Sequence, residues 1–186
     1  WYELVSNDAG WWAVSNGKVD FSYTGFVYDN VNETNGAWYV RNGQIDFGFN
    51  GTLQEMSGTY KCYQNGKMLE WDFNGLVETT VDDEYGWYYV KNGRVDSNAY
   101  CLTYYQGNWY YVQKGILNWN YTGLTNYYGT WYHVQKGYLN WSYTGMTNYY
   151  GTWYYVDKGA VNWKYTGYVT YEGVRYFVKN GVGIIK

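Results

Sequence analysis

Aromatic side chains are the residues of this sequence that are frequent and regular enough to do chemistry. The 186-residue chain holds 12 Trp, 28 Tyr and 6 Phe. A ring face attracts a cation such as a quaternary ammonium by about 0.5–2 kcal/mol, and it can also stack on the C–H face of a sugar. Asn and Tyr groups nearby can then bond the sugar's hydroxyl groups. The composition therefore predicts binding through rings.

Catalysis has little support among the polar residues. His133 is the only histidine, and it stands where the matching places hold Tyr89, Tyr111 and Tyr155. Carboxylates recur once per repeat but are exchanged for Asn, as at Asp20, Asp46, Asp96, Asn118, Asn140 and Asn162. A catalytic or metal-binding carboxylate would not be exchanged in this way, so we interpret these residues as structural. We predict no enzyme activity, no metal site and no cofactor.

Two classes of partner are disfavoured by charge and hydropathy. The formal net charge is −3, which argues against nucleic acid because the basic footprint of such proteins is missing. No run of about 18 apolar residues exists, so we expect no insertion into a membrane. The chain begins at Trp1 without Met or a signal sequence, and we expect it to be a fragment.

The rings belong to a repeat with a turn glycine in each copy. Eight such glycines are found, the last four intervals being 22 residues: Gly17, Gly43, Gly66, Gly93, Gly115, Gly137, Gly159 and Gly181. Asn-Gly precedes strand-like residues in five copies and is typical of a type I′ hairpin turn. Lys-Gly takes its place at 114/115, 136/137 and 158/159, where we expect another turn type because Lys tolerates positive φ poorly.

Counting outward from a two-residue turn gives the register of each hairpin. In the fifth copy this predicts an apolar, covered side with the facing pairs Val112 and Leu117, Tyr110 and Trp119, and Asn108 and Tyr121. The opposite side mixes rings with polar groups, and we expect its rings to bind the ligand: Trp109, Tyr111, Trp131, His133, Trp153 and Tyr155. They rank above Trp119, Trp141 and Trp163. The alternative is that Trp109, Trp131 and Trp153 are covered by the next hairpin and only stabilise the fold.

A lone hairpin is marginal in water, so the copies must stack. The sequence thus predicts an all-β solenoid of repeated β-hairpins. We divide it into acidic, irregular repeats over 1–98, with 14 Asp/Glu and 6 Lys/Arg, and basic, Tyr-rich 22-residue repeats over 99–186, with 2 and 7. We expect one continuous solenoid. The basic half suits an anionic, ring-stacking ligand, or the two halves help neighbouring molecules to align.

The two cysteines leave the redox compartment open. Cys62 and Cys101 form no C-x-x-C pair and no even framework. If the protein is secreted, a bridge between them would fix the irregular middle of the chain, provided that their Cα atoms lie within about 7 Å. A bridge and two free thiols both remain possible at this point.

The repeat resembles a known family. Residues 153–161 read WYYVDKGAV, and Tyr165-Thr166-Gly167 follow; this is similar to the aromatic-rich cell-wall and choline-binding repeats of Gram-positive surface proteins and to clostridial toxin repeats. The Trp that follows Thr-Gly in that family is replaced here by Phe26, Leu76, Leu124, Met146 and Tyr168. The resemblance implies a β-hairpin solenoid with ligand sites between successive repeats.

From these points we predict a non-catalytic, extracellular module, secreted or on the bacterial cell surface. Its expected partner is cell-wall or host glycan, or a choline-like group, bound at aromatic sites between hairpins. One alternative is an adhesin that recognises a host protein such as an immunoglobulin or a mucin, since Tyr and Trp are frequent hot-spot residues. The other alternative is a structural spacer.

Overall fold

The computed structural model describes residues 1–184, which form 24 β-strands and no helix. None of these residues therefore belongs to a helix that is long and apolar enough to cross a membrane. The described chain divides into two compact units, Trp1–Asp96 and a second that begins at Ser97. The continuity of one solenoid through residues 97–102 stays a prediction.

The strands come in eight copies of three. The first unit holds copies 1 to 4, with β1 Glu3–Asn7, β2 Gly10–Ser15, β3 Lys18–Val19, β4 Gly25–Val31, β5 Thr34–Arg41, β6 Gln44–Ile45, β7 Gly51–Gln54, β8 Tyr60–Gln64, β9 Lys67–Met68, β10 Asn74–Val81, β11 Glu84–Lys91 and β12 Arg94–Val95. The second holds copies 5 to 8, with β13 Tyr100–Tyr105, β14 Asn108–Gln113, β15 Ile116–Leu117, β16 Gly123–Tyr127, β17 Thr130–Gln135, β18 Tyr138–Leu139, β19 Gly145–Tyr149, β20 Thr152–Asp157, β21 Ala160–Val161, β22 Gly167–Tyr171, β23 Val174–Lys179 and β24 Val182–Ile184.

Each copy has a middle strand that is paired antiparallel on both sides. In copy 6, β17 pairs with β16, where Leu124 lies opposite His133, and with β18, where Val134 lies opposite Leu139. The all-β fold of repeated hairpins is thereby confirmed. The sequence analysis found only the second turn of each copy; the first, such as Tyr128-Gly129, was missed because Tyr is an unusual residue for a tight turn.

The Lys-Gly turns have the same backbone as the Asn-Gly turns. Lys114, Lys136 and Lys158 have φ of 54°, 50° and 49°, close to the 51° of Asn16. Both central residues of each turn have positive φ, as a type I′ turn requires, so the expectation of another turn type is wrong. The flanking strand pairing fixes the turn, and Lys adopts the left-handed conformation at a cost of roughly 1–2 kcal/mol.

The predicted register is correct next to the turn and wrong farther away. Val112 lies opposite Leu117, and the rings of Tyr110 and Trp119 meet edge to face at 5.8 Å. Asn108, however, pairs with Tyr105 and not with Tyr121. The third strand ends at Leu117, and residues 118–122 then form a loop.

The loop residues explain the recurring Asp/Asn. The Oδ1 atom of Asn140 accepts hydrogen bonds from the backbone N–H and the hydroxyl of Ser142, at 3.0 and 2.7 Å. The same bond to the N–H two residues later is made by Asp20, Asp46, Asn118 and Asn162. Asp and Asn both supply this acceptor, which is why they exchange freely. Their predicted structural role is confirmed.

The Tyr-Thr-Gly motif fixes the following turn. The hydroxyl of Tyr143 donates to the carbonyl of Met146 at 2.7 Å, which closes the loop around Gly145. The Thr144 hydroxyl accepts from the backbone N–H of Lys158 at 3.1 Å. The motif therefore holds the loop of one copy against the turn of the next.

Successive copies within a unit are joined through the turn glycine. The His133 N–H donates to the Gly159 carbonyl at 2.8 Å, and the Gly159 N–H donates to the Tyr143 carbonyl at 2.9 Å. The first of these bonds recurs at Ala13 with Gly43, Tyr39 with Gly66, Cys62 with Gly93, Tyr111 with Gly137, and Tyr155 with Gly181. A Cβ at Gly159 would lie 2.7 Å from the Asn140 carbonyl oxygen. Glycine is thus required for the contact as well as for the turn.

Both sides of a hairpin are covered, because the front of one copy packs on the back of the previous one. Leu124 of copy 6 forms one buried cluster with Val156 and Val161 of copy 7. A valine three residues before the turn glycine is fully buried in most copies: Val40, Val90, Val112, Val134, Val156 and Val178. Stacking, as predicted, supplies the core that one hairpin lacks.

Cys62 lies in this core as a free thiol. It is 0 % exposed, and burial raises the pKa of its thiol to about 12. The bridge to Cys101 is therefore not formed. Cys62 occupies the middle-strand place that holds Tyr111 or Tyr155 in other copies, and it is a small apolar residue there.

The docking role of the turn glycine gives a direct test. Gly159→Ala adds the clash with the Asn140 carbonyl to the cost of an alanine at positive φ. Gly151→Ala carries the positive φ alone, since a Cβ there meets no atom of residues 1–184 within 4 Å. We expect Gly151→Ala to cost about 1–2 kcal/mol and Gly159→Ala at least about 1 kcal/mol more, measured by thermal and urea unfolding. Equal losses would contradict the docking role.

The strained lysines give a second test. Lys158 is exposed, and its backbone N–H bond to Thr144 would be kept by Asn. Asn tolerates positive φ better than Lys, so Lys158→Asn should stabilise the second unit by about 0.5–1 kcal/mol in urea unfolding. Lys164→Asn, at an exposed place outside the positive-φ residues, is the control and should change stability little.

Candidate ligand-binding site

A ring-walled cavity of about 120 Å³ lies between copies 6 and 7. Its lining residues are Leu124, Trp131, Tyr149, Tyr154 and Trp163. Leu124 and Trp131 come from the first two strands of copy 6, whereas the other three come from copy 7. Stacking therefore creates the cavity, because neither copy carries all of its walls.

The rings of this cavity are held as two pairs. Trp131 meets Tyr149 at a centroid distance of 5.1 Å and an angle of 62°, and Tyr154 meets Trp163 at 5.9 Å and 79°. Near-perpendicular rings leave faces available to a third group. The five lining residues carry no ionic side chain, and burial raises the pKa of Tyr149, so the site is uncharged at neutral pH.

The 22-residue period repeats these walls in the second unit. Between copies 5 and 6 the matching residues are Leu102, Trp109, Tyr127, Tyr132 and Trp141, with Trp109 to Tyr127 at 5.3 Å and Tyr132 to Trp141 at 5.7 Å. Between copies 7 and 8 they are Met146, Trp153, Tyr171 and Tyr176. The residue of copy 8 that corresponds to Trp163 is residue 185, which lies outside the described residues.

The first unit has a counterpart between copies 1 and 2. Leu4, Trp11 and Trp38 belong to one cluster, and Phe47 meets Trp38 edge to face at 5.8 Å. A carboxylate joins them, since Asp29 Oδ2 accepts from the Leu4 N–H at 2.7 Å. Compared with the interface between copies 6 and 7, this interface also has three large rings, Trp11, Trp38 and Phe47, and it has in addition the negative charge of Asp29.

The six residues expected to bind a ligand fall into two groups. Trp109, Trp131 and Trp153 lie between copies, each against rings of the next copy. Tyr111, His133 and Tyr155 instead stack on the loop tyrosine of their own copy: Tyr111 on Tyr121 at 4.1 Å, His133 on Tyr143 at 3.7 Å, and Tyr155 on Tyr165 at 4.2 Å. Ligand binding by the six stays a prediction.

The side with Trp119 is covered next to the turn, where Val112 and Leu117 are buried, but it is half exposed at the loop ring itself. Trp119, Trp141 and Trp163 are 50, 55 and 45 % exposed, whereas Tyr111 and His133 on the opposite side are 8 and 4 % exposed. Both sides carry a neighbour, so a contrast between polar and apolar sides does not identify the open surface. Tyr149 and Tyr154 were not predicted from the sequence. The Tyr150-Gly151 turn was the available signal, because it joins the two strands that carry them.

His133 is a buried, uncharged ring and not a poised base. Its Nδ1 atom has no hydrogen-bond partner within the described part of the chain, and burial lowers its pKa from 6.5 to about 4. A cavity of about 390 Å³ lies beside it, lined among others by Tyr143, Thr147 and Tyr171. The smaller imidazole takes a place where copies 5 and 7 hold Tyr.

His133 predicts a pH dependence of stability. The unfolded chain binds the proton below pH 6.5 and the folded chain only below about 4, so stability falls as the pH drops between these values. The loss at pH 5 is about 2 kcal/mol from the shift of the pKa. His133→Tyr should remove this part, so its stability relative to the wild type should rise from pH 7 to pH 5 in urea unfolding. A constant difference would contradict the buried neutral His.

Comparison with known proteins identifies the repeat. The model of the choline-binding repeat family matches residues 4–20, 72–96, 101–118, 120–140, 142–162 and 164–184, which is more than half of the chain. No curated protein sequence matches it.

Three solved structures match over 98 % of this chain, and two of them, CbpJ and choline binding protein F, are from Streptococcus pneumoniae. CbpJ has 18 % identity, 80 % coverage of its own chain and a TM-score of 0.34. Choline binding protein F has 19 % identity, 72 % coverage of its own chain and a TM-score of 0.38. CbpF in complex with ipratropium has 16 % identity, 80 % coverage and a TM-score of 0.33. The family assignment rests on the sequence match, and this chain belongs to the choline-binding repeat family.

Proposed function

We propose that the chain is a non-catalytic module that binds choline-type quaternary ammonium groups displayed on cell-wall glycan outside the cell. The observation that carries the proposal is the cavity walled by Trp131, Tyr149, Tyr154 and Trp163 at the interface of two copies. Family membership supports the same ligand class.

The chemistry of the cavity suits a quaternary ammonium. Such a group has no N–H to donate and needs no hydrogen-bond acceptor, so it gains most from ring faces. Each ring within about 6 Å contributes roughly 0.5–2 kcal/mol by cation–π attraction, more where water is excluded. An uncharged site also favours it over a primary ammonium, which would lose hydrogen bonds to water without replacement.

Repetition and charge suit a polymer that carries many such groups. Linked weak sites raise the overall affinity by factors of about 10²–10⁴. Residues 99–186 hold 7 Lys/Arg against 2 Asp/Glu, so this half attracts an anionic chain that displays the cationic groups. Because the proposed partner lies outside the cell, the protein would have to be extracellular to bind it.

Recognition of a protein is a second candidate, favoured by two tyrosines at turns. Tyr128 and Tyr150 are each 91 % exposed, with φ of 47° and 49°. A bulky residue in that conformation costs stability without covering any core, which points to a role at the surface. Exposed tyrosine is also a frequent hot-spot residue. Loss of serum- or mucin-protein binding by Tyr128→Asn with Tyr150→Asn would support this candidate.

The cage is tested by removing one wall. Trp163→Ala should remove one choline site, or weaken it roughly 5- to 30-fold, because it deletes one ring worth about 1–2 kcal/mol. Isothermal titration with choline chloride measures the number of sites and their affinity. Trp1→Ala is the control, since Trp1 is fully exposed and should leave both unchanged. An unaltered titration of Trp163→Ala would contradict the site.

The nature of the attraction is tested with a neutral ligand of the same shape. 3,3-Dimethylbutanol replaces the ammonium nitrogen of choline by carbon, so it keeps apolar contact and loses cation–π attraction. We expect it to bind at least about tenfold more weakly than choline, a difference of about 1.4 kcal/mol. Equal binding would show that the cavity is only an apolar pocket.

A further inference from the structure

The interface between copies 2 and 3 has the register of the ring-walled cavity but different residues. The N–H of Cys62 donates to the carbonyl of the turn glycine of the next copy, as the N–H of Tyr155 does. The preceding residues, Lys61 and Tyr154, are therefore at equivalent positions. Gly51 and Gly145 are equivalent in the same way, because Gly51 pairs with Tyr63 and Gly145 pairs with Val156. Four residues after these glycines lie Glu55 and Tyr149. Glu55, Lys61, Ala37 and Phe26 thus take the places of Tyr149, Tyr154, Trp131 and Leu124.

A positive charge of the chain itself lies over the ring at this interface. The Lys61 ammonium is 5.4 Å from the centroid of Phe26, within the range of cation–π attraction. It also pairs with Glu55 Oε1 at 2.9 Å. The Lys61 side chain is only 19 % exposed, so the ammonium is held in the interface and does not extend into solvent.

Arg94 of copy 4 completes the arrangement. Its Nε atom donates to Glu55 Oε2 at 2.8 Å, so each carboxylate oxygen has a cationic partner. Arg94 and Lys61 together lower the pKa of Glu55 to about 2. The carboxylate is therefore charged at any pH at which the protein would act, and it is not free to attract another cation.

We propose that Lys61 is an internal substitute for the ligand: its ammonium occupies, over Phe26, the place that a quaternary ammonium takes between copies 6 and 7, and so closes the interface between copies 2 and 3 to cationic ligands. This inference rests on the proposed function. Lys61, held by Glu55, is thus the residue that closes this interface.

The physical argument has two parts. A tethered cation needs no encounter with a second molecule, so a free cation at ordinary concentration competes poorly with it. The network of Lys61, Arg94 and Glu55 also keeps an excess of one positive charge, which repels a second cation. Ala37 adds to this, because it removes the ring that Trp131 supplies in copy 6.

Methionine methyl NMR on the wild-type chain gives the first test. Met56 lines the cavity of about 440 Å³ at this interface, together with Phe26, Glu55 and Lys61. With [¹³C-methyl]-methionine and ¹⁵N-tryptophan, a titration with choline chloride should leave the Met56 signal unshifted while the Trp indole signals of the second unit move. A Met56 shift in the same concentration range overturns the inference and leaves the proposed function standing. If choline binds at no site, both the inference and the proposed function are overturned.

Exchange of the two residue pairs gives the second test. Tyr149→Glu with Tyr154→Lys should close the cavity between copies 6 and 7, so isothermal titration should find one choline site fewer. Tyr149→Phe with Tyr154→Phe keeps the rings and should keep the site, which controls for the double change. Thermal unfolding verifies that both variants are folded. Retention of the site in the Glu/Lys variant overturns the inference, and the NMR test does not depend on either variant.

Discussion

The hydrogen bonds by which a turn glycine joins the preceding copy of its unit are the contact on which the rest of the structure depends. Gly159 donates to the Tyr143 carbonyl and accepts from the His133 N–H, which sets the distance and the rotation between copies 6 and 7. Side chains then pack in the space that this backbone contact leaves. A side chain at that position would push the copies apart, because its Cβ would lie 2.7 Å from the Asn140 carbonyl oxygen, and it would loosen both the Leu124, Val156 and Val161 cluster and the ring-walled cavity.

Because the cavity is built at the interface of two copies, the ligand binding that we propose for it is thermodynamically linked to stacking. A ligand held by Trp131 of copy 6 and Trp163 of copy 7 binds only while the two copies are docked, so it stabilises the docked state by mass action. Stacked repeats have stabilities that are approximately sums of repeat and interface terms. The ligand therefore adds to the interface term, and a chain with several occupied interfaces gains at each of them separately.

The period, the second turn of each copy and the residues next to it were predictable from sequence, since Asn-Gly and the Val112 and Leu117 pair follow from local rules. Other features were not. Tyr128-Gly129 escaped notice because the strand pairing imposes positive φ on a residue that disfavours it. The open surface escaped because the usual contrast of polar and apolar sides fails when both sides carry a neighbour. Trp163 meets Tyr154 within its own copy, as the register predicts, but only the docking of two copies brings this pair beside Trp131.

The differences between copies follow from the same constraint. The backbone contact requires glycine but places no demand on the side chains that point into the interface, so those positions are free to differ while the stack is kept. Between copies 6 and 7 they are rings that leave room for a small group. Between copies 2 and 3 they are Lys61 and Glu55, with a salt bridge at 2.9 Å, and Arg94 extends this network to copy 4. One backbone arrangement thus accommodates an uncharged cavity in one place and a self-neutralised ion pair in another. Under the proposed function, the number of ligands that the chain binds is set by the side chains at individual interfaces and not by the number of repeats.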